Sequence, residues 1–274
     1  MQQISILGCG WLGLPLAKSL LEKGFLVNGS TTSIEKISIL QSARINAFQI
    51  NLLVDKIEGE IEDFLENSEI LIIDIPPKLR GDYKESFVEK IQILLQFIKK
   101  SSVKKVIFVS STAVYSDDAS TAIGKTEKTN PNPETESGKQ LLEVENILLE
   151  NQSFETIILR FGGLIGDNRN PIKFLSGKKN IENPDAPINL IHLKDCIRVI
   201  ENILKQVDIE NVIWNQIYNA VYPFHPSRKD YYTQKAMEQN LPLPEFDASK
   251  SSIGKLILSA KIETVLGYEF LYHI

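Results

Sequence analysis

One stretch limits this chain more than any other. Ile4-Ser5-Ile6-Leu7 is a short apolar run that stops at Gly8-Cys9-Gly10-Trp11-Leu12-Gly13, and Leu12, Leu16 and Leu20 then repeat at i, i+4 and i+8. That repeat is one buried face of a helix, so the stretch reads as strand, turn, helix. Gly8, Gly10 and Gly13 fit G-x-G-x-x-G, in which the first glycine permits a tight turn, the second lets backbone approach a pyrophosphate, and the third allows close helix–strand packing. The helix start adds free N–H groups and a positive dipole end. Gly8, Gly10, Trp11, Leu12 and Gly13 are therefore candidate cofactor-binding residues, with the Trp11 side chain expected to pack against the sheet. The alternative is a glycine-rich turn in some other α/β protein.

Composition narrows the function classes. The chain has 274 residues, 43% hydrophobic and 24% charged, enough for one large domain or a domain with an appendage. Its net charge of −5, from 35 acidic and 30 basic side chains, removes the broad basic footprint that nucleic acid requires. Cys9 and Cys196 are the two cysteines, too few and too far apart for a disulfide framework or a metal site, and they suit a reducing cytoplasm. The start of the chain runs into a strand without a basic n-region, and no apolar run reaches the roughly 18 residues of a membrane span. A cytoplasmic protein, neither exported nor membrane-embedded, is the expectation; oligomeric state is undetermined.

The rest alternates strand and helix. Strands are expected at Phe25 to Ser30, Ala47 to Leu52, Ile70 to Ile75, Val106 to Ser111 and Thr156 to Arg160. Helices are expected at Ser33 to Ser42 with Ser33 as cap, about Ile57 to Leu65, Phe87 to Lys99, and about Ser137 to Glu150. This order implies right-handed βαβ units in a Rossmann-type, doubly wound parallel sheet, with a ligand at the strands' C-terminal ends. Residues Tyr115 to Glu136 are polar and aperiodic, a loop over the site or a lid. Beyond Gly162-Gly163 the alternation degrades, with helices near Lys194 to Gln206 and Ser227 to Gln239. The expected division is a dinucleotide-binding core over 1–165 and a mixed region with a small cap over 166–274, built onto the core.

Several motifs stand in order along the chain: Val109-Ser110-Ser111-Thr112-Ala113-Val114-Tyr115, then Leu159-Arg160-Phe161-Gly162-Gly163-Leu164-Ile165-Gly166, then Ile191-His192-Leu193-Lys194-Asp195, then Ile217-Tyr218-Asn219. With the glycine loop they resemble the extended short-chain dehydrogenase/reductase superfamily, in particular its NAD-dependent epimerase/dehydratase group and atypical members. The resemblance implies a tyrosine made acidic by a lysine four residues on, and a Ser or Thr that hydrogen-bonds the same substrate oxygen. Mapped here, the serine is Ser111, the lysine Lys139, and the tyrosine position Thr135. An aliphatic hydroxyl is no ionised base near neutrality.

Three readings of that gap compete. Another group supplies the proton, with Glu134, Glu136, Tyr115 and Tyr83 as candidates, although Glu134 and Glu136 equally read as solvated acids at a helix start and Tyr115 as packing under the loop; or Lys139 keeps only a contact with the nicotinamide ribose and the protein binds cofactor without turnover; or the helix register is displaced. No Tyr-x-x-x-Lys occurs in the region, so a shift does not restore the pair.

Cofactor choice turns on the second strand. It runs into Asn28-Gly29-Ser30-Thr31-Thr32-Ser33 without the acid that receives ribose hydroxyls in NAD sites. Thr31, Thr32, Ser33 and Lys36 offer hydroxyls and a cation to a 2′-phosphate, so NADP is preferred over NAD; the alternative is that the hydroxyls cap the next helix and Lys36 is solvated. Pro76-Pro77-Lys78 lies where the fourth strand approaches the cofactor. Arg160 and Arg169 are candidates for an anionic substrate, with Arg160 the stronger, while a buried ion pair accounts for Arg160 equally well. His192 and Asp195 are read as structural. The expectation is an NAD(P)-binding oxidoreductase or epimerase/dehydratase-like protein acting on a hydroxylated, sugar-like small molecule; the alternatives are a catalytically silent NADP-binding regulator or a different nucleotide ligand such as FAD. No metal ligands are expected.

Overall fold

The computed structural model describes residues 2–77, 79, 85–119, 123–166, 168–207 and 213–274. In chain order its elements are β1 (Gln3–Leu7), α1 (Gly13–Glu22), β2 (Leu26–Thr31), α2 (Ile37–Ser42), β3 (Asn46–Gln49), β4 (Asn51–Leu52), β5 (Ile57–Glu58), α3 (Ile61–Leu65), β6 (Ile70–Ile73) and α4 (Phe87–Ile98). There follow β7 (Lys105–Ser111), α5 (Glu136–Glu150), β8 (Glu155–Phe161), β9 (Gly163–Ile165), β10 (Leu190–His192), α6 (Leu193–Lys205), β11 (Gln216–Ala220), α7 (Arg228–Glu238) and α8 (Ala260–Leu266).

Seven strands form one sheet in the order β3-β2-β1-β6-β7-β8-β11, every pair parallel. Chain order reverses at β1, between β2 on one side and β6 on the other, which opens a crevice at that point. The pleat divides the core in two. Ile6, Ile72, Ile107 and Ile157 are register partners across four strands and pack with α1 and α6. One residue further along, Leu7, Ile73, Phe108 and Ile158 face the other way, onto α4 and α5. Central strands buried on both faces need the near-continuous apolar runs seen in the sequence.

Local chemistry sets several boundaries. Ser86 caps α4 by accepting the Glu89 N–H at 3.2 Å, and Ser227 caps α7 through the Asp230 N–H at 3.0 Å. The expected helix from Ile57 is shorter, beginning only at Ile61: Gly59 has φ +98°, and a Cβ there would lie 2.0 Å from the Gln49 carbonyl oxygen. Ile57–Glu58 pairs instead with Asn51–Leu52. Ser33 does not cap its helix; its hydroxyl bonds the Glu35 carboxylate, and a 3-10 turn over Ile34–Lys36 precedes α2.

The second half of the chain is tied into the first. β11 pairs with β8, so the seventh strand of the sheet comes from beyond residue 165. Asp195, fully buried in the first turn of α6, accepts hydrogen bonds from the Tyr268 hydroxyl and from the N–H groups of Leu271 and Tyr272 at 3.1 and 3.0 Å. It anchors the C-terminal segment to the sheet-covering helix. No helix among the described residues is long and apolar enough to cross a membrane.

Candidate active site

The loop between β1 and α1 is built for close approach. Gly8 has φ +106°, and a Cβ there would lie 2.4 Å from the Asp74 carbonyl oxygen; a Cβ on Gly13 would lie 2.2 Å from the Gly8 carbonyl oxygen. Neither position admits a side chain. Gly10 is the opposite case, exposed, with nothing within 4 Å of a Cβ built on it. Two glycines are thus consumed by the turn and the third leaves an open face, as a phosphate against backbone requires. Ser30 fixes the loop: its hydroxyl accepts the Gly8 N–H at 2.9 Å and its carbonyl the Cys9 N–H at 2.7 Å.

Two lobes of one crevice meet at this loop. The smaller, about 300 Å³, runs past Thr31, Thr32 and Lys36, with Asn51 and Lys90 on its far wall. The larger, about 670 Å³, is walled by Trp11, Ser111, Ser137, Leu141, Leu164 and Arg169. Gly10, Asp74, Ile75, Pro76 and Pro77 line both. A groove of about 710 Å³ between α1 and α2 is larger still, but it lies away from the glycine loop and brings no such groups together.

Among the described residues, the charges in this crevice are few. Lys90 is paired with Glu85 at 2.6 Å, whereas Lys36 lies exposed at the rim of the smaller lobe. Arg169 stacks its guanidinium 5.1 Å over the Trp11 ring, and the Trp11 indole N–H donates to Asn168 Oδ1 at 2.8 Å. The Trp11 side chain therefore props a cation at the mouth of the larger lobe instead of packing on the sheet alone. Asp74 follows β6, and its carboxylate accepts the Gly13 N–H; burial pushes the carboxyl up to about 7 against that hydrogen bond.

The face that α5 turns to the crevice differs from expectation. Ser137 and Leu141 line the larger lobe; Thr135 and Lys139 line neither. Thr135 is the helix cap, its hydroxyl accepting the Gly138 N–H at 3.1 Å. Lys139 is exposed, two residues and roughly 200° around the helix from Ser137. Two contacts fix that rotation. Gly138 packs so closely that a Cβ would lie 2.5 Å from the Ala113 carbonyl oxygen, and Glu145 is held in a buried ion pair with Arg160. Ser137, Leu141 and Glu145 form one i, i+4, i+8 stripe, so pinning Glu145 aims the other two.

Other candidates take the structural of their two roles. Arg160 is 1% exposed and bonds Glu145 through Nε and Nη2 and the Tyr115 hydroxyl through Nη1 at 2.7 Å, so it faces no ligand. Tyr115 is buried, donating to Asn219 Oδ1 at 3.0 Å, and burial raises its pKa. Glu134 and Glu136 are exposed outside both lobes, and Glu136 accepts from Gln140 Nε2 at 2.8 Å. His192 caps α6 through Nδ1 and stacks on Tyr272. Lys78 and Tyr83 lie outside the described residues.

Sequence reasoning passed over Asp74, Asn51, Lys90, Ser137 and Leu141. Asp74 alone carried a signal, a single acid ending the run Ile70-Leu71-Ile72-Ile73 just before two prolines. The others reach the crevice from separate elements.

Comparison with known proteins now decides the family. The model for the NAD dependent epimerase/dehydratase family matches residues 78–219. The chain belongs to the NAD-dependent epimerase/dehydratase family. The matched span begins after the glycine loop, which is carried by its own geometry. Protein YeeZ of Escherichia coli K12 is 33% identical over 275 residues, covering 99% of this chain and 97% of YeeZ. Among solved structures, UDP-glucuronic acid 4-epimerase from Bacillus cereus, in complex with UDP-glucuronic acid and NAD, superposes with a TM-score of 0.79 at 18% identity, covering 99% and 95% of the two chains. A short-chain dehydrogenase/reductase superfamily protein from Agrobacterium tumefaciens with bound NAD gives 0.77 at 14% identity, covering 99% and 93%. At these identities the structural likeness speaks to the fold: this epimerase/dehydratase family member has a Rossmann-type parallel sheet.

Proposed function

We propose that this family member binds a nicotinamide dinucleotide across the two lobes, NADP(H) in preference to NAD(H), and acts as an oxidoreductase or epimerase/dehydratase on a hydroxylated, sugar-like small molecule. One observation carries the reading: the open face of Gly10 lies where two unequal lobes join, which suits a pyrophosphate with a nucleoside on either side. Thr31, Thr32 and Lys36 in the smaller lobe would receive a 2′-phosphate, with Gly8, Gly10, Trp11, Leu12 and Gly13 forming the loop and Pro76 the wall opposite. A bound nicotinamide would supply hydride transfer. In the larger lobe, Ser111 Oγ accepts the Ala113 N–H at 3.1 Å, which leaves its own hydrogen to orient a substrate oxygen. Arg169 would hold an anionic group of that substrate.

A second reading, a catalytically silent NADP-binding regulator, is favoured by the α5 stripe. The family resemblance calls for a Tyr and a Lys four residues apart, and the pair at that spacing facing the lobe is Ser137 and Leu141. Neither is an ionised base near neutrality. The test begins with nicotinamide fluorescence on titration with NADPH and NADH; failure of both to bind the folded protein overturns the dinucleotide reading. If they bind, sugars and sugar nucleotides are screened for absorbance change at 340 nm and for deuterium uptake from solvent. Either signal supports the enzyme; binding with neither supports the silent reading.

A further inference from the structure

Asp74 occupies an unusual place for an acid. It sits at the junction shared by both lobes, beneath a loop that we read as the seat of a pyrophosphate, and its carboxylate already takes the N–H of Gly13, the first residue of α1. An anion of the protein's own thus uses the helix end that an anionic ligand needs. Two negative charges in one half-buried crevice repel, and the cheapest relief is a proton on the carboxylate.

We propose that the dinucleotide site is proton-coupled through Asp74: the carboxylate takes one proton from solvent as the pyrophosphate settles on the Gly8–Gly13 loop and returns it on release. The inference rests on the dinucleotide reading above. The only bond made or broken is the carboxyl O–H, so no co-reactant is needed.

Among the described residues that line the crevice, the surrounding groups leave Asp74 as the one poised to titrate. Cys9 in the same loop is pushed up to about 12, by burial first and by Asp74 second. Cys196 of α6 is pushed well above its ordinary value, again chiefly by burial. Lys36 and Lys90 line the smaller lobe and Arg169 the larger, all cationic, and no histidine lines either. The free carboxyl, held up to about 7 by burial, is half ionised at neutrality. The sign follows by linkage. A ligand that favours the protonated form binds best below about 7 and loses affinity as pH rises, at most tenfold per unit.

The experiment measures NADH and NADPH affinity by fluorescence between pH 7.0 and 8.5, above the range in which a phosphate monoester titrates. It adds calorimetry in two buffers of different ionisation enthalpy to count protons. Asp74→Asn keeps an oxygen to accept the Gly13 N–H and so keeps the loop. Wild type is expected to bind about tenfold more weakly at pH 8.5 than at 7.0 and to take up a fraction of a proton; Asp74→Asn is expected to vary less than about twofold, take up none, and bind more tightly than wild type at pH 8.5. Binding with the same pH profile and proton count in both proteins overturns this inference and leaves the dinucleotide reading standing. No binding of either nucleotide by folded wild type overturns both.

Discussion

The two lobes of the crevice are made from different kinds of chain. The smaller takes the Gly8–Gly13 loop, the end of β2 and Lys36 from the start of the chain, where glycines sit at positions at which a Cβ would strike backbone, and closes against Asn51, Asp74 and Lys90 from later elements. The larger draws Ser111, Ser137, Leu164 and Arg169 from distant segments, and a buried polar network beneath it fixes α5 against β7 and β8. In that network Glu145 joins Arg160 and Ser110, Arg160 joins Tyr115, and Tyr115 joins Asn219 of β11. The difference teaches that the glycine-loop side of the crevice is specified chiefly by backbone conformation and the α5 side by helix rotation. Changes to one should leave the other largely intact.

Breaking the network should have the largest effect. Glu145→Ala leaves the Arg160 charge buried without its partner and should cost about 3–5 kcal/mol of stability, read as a lower urea midpoint. Replacing the ion pair as a unit, Glu145→Leu with Arg160→Met, should recover much of that loss; a double variant as unstable as the single would show that the network contributes more than charge compensation.

At the other lobe, Gly10→Arg meets open space and should fold with its melting temperature nearly unchanged while weakening NADPH binding at least about a hundredfold, close to 2.7 kcal/mol. A matching loss of stability would instead mark the loop as part of the core.

Lys36→Ala sharpens the contrast between nucleotides. A loss of about tenfold for NADPH with little change for NADH, roughly 1.4 kcal/mol, is expected if the rim lysine meets a 2′-phosphate. Equal loss for both would remove the basis for preferring NADP. Lys139→Ala should do least of all, less than about twofold on either nucleotide, because its side chain lies on the exposed face of α5.

Much of this was legible from the residues. The glycine fingerprint, the buried runs of β6 and β7 and the apolar stripes of α1 and α4 depend on neighbours within a few positions, so their reading needs only local rules. The placement of Arg160 and Lys139 was not legible, for one shared reason. A strand-end arginine and a helical lysine look available in a sequence, because the acid that captures one and the rotation that turns away the other depend on Glu145 meeting Arg160 across the gap between α5 and β8. Asp74 was visible as a lone acid in an apolar run, yet nothing local shows that it lies under the Gly13 amide.

By itself, then, the sequence determined the strand–turn–helix start, the parallel α/β order and the backbone freedom of Gly8, Gly10 and Gly13, since sterics and hydrophobic periodicity act along the chain. Only the tertiary structure decided that Ser137 and Leu141 rather than Thr135 and Lys139 face the crevice, that Arg169 rather than Arg160 is open to a ligand, and that an acid sits at the junction of the lobes. Those outcomes follow from burial and charge pairing between residues far apart in sequence, and such energies exist only once the chain is packed.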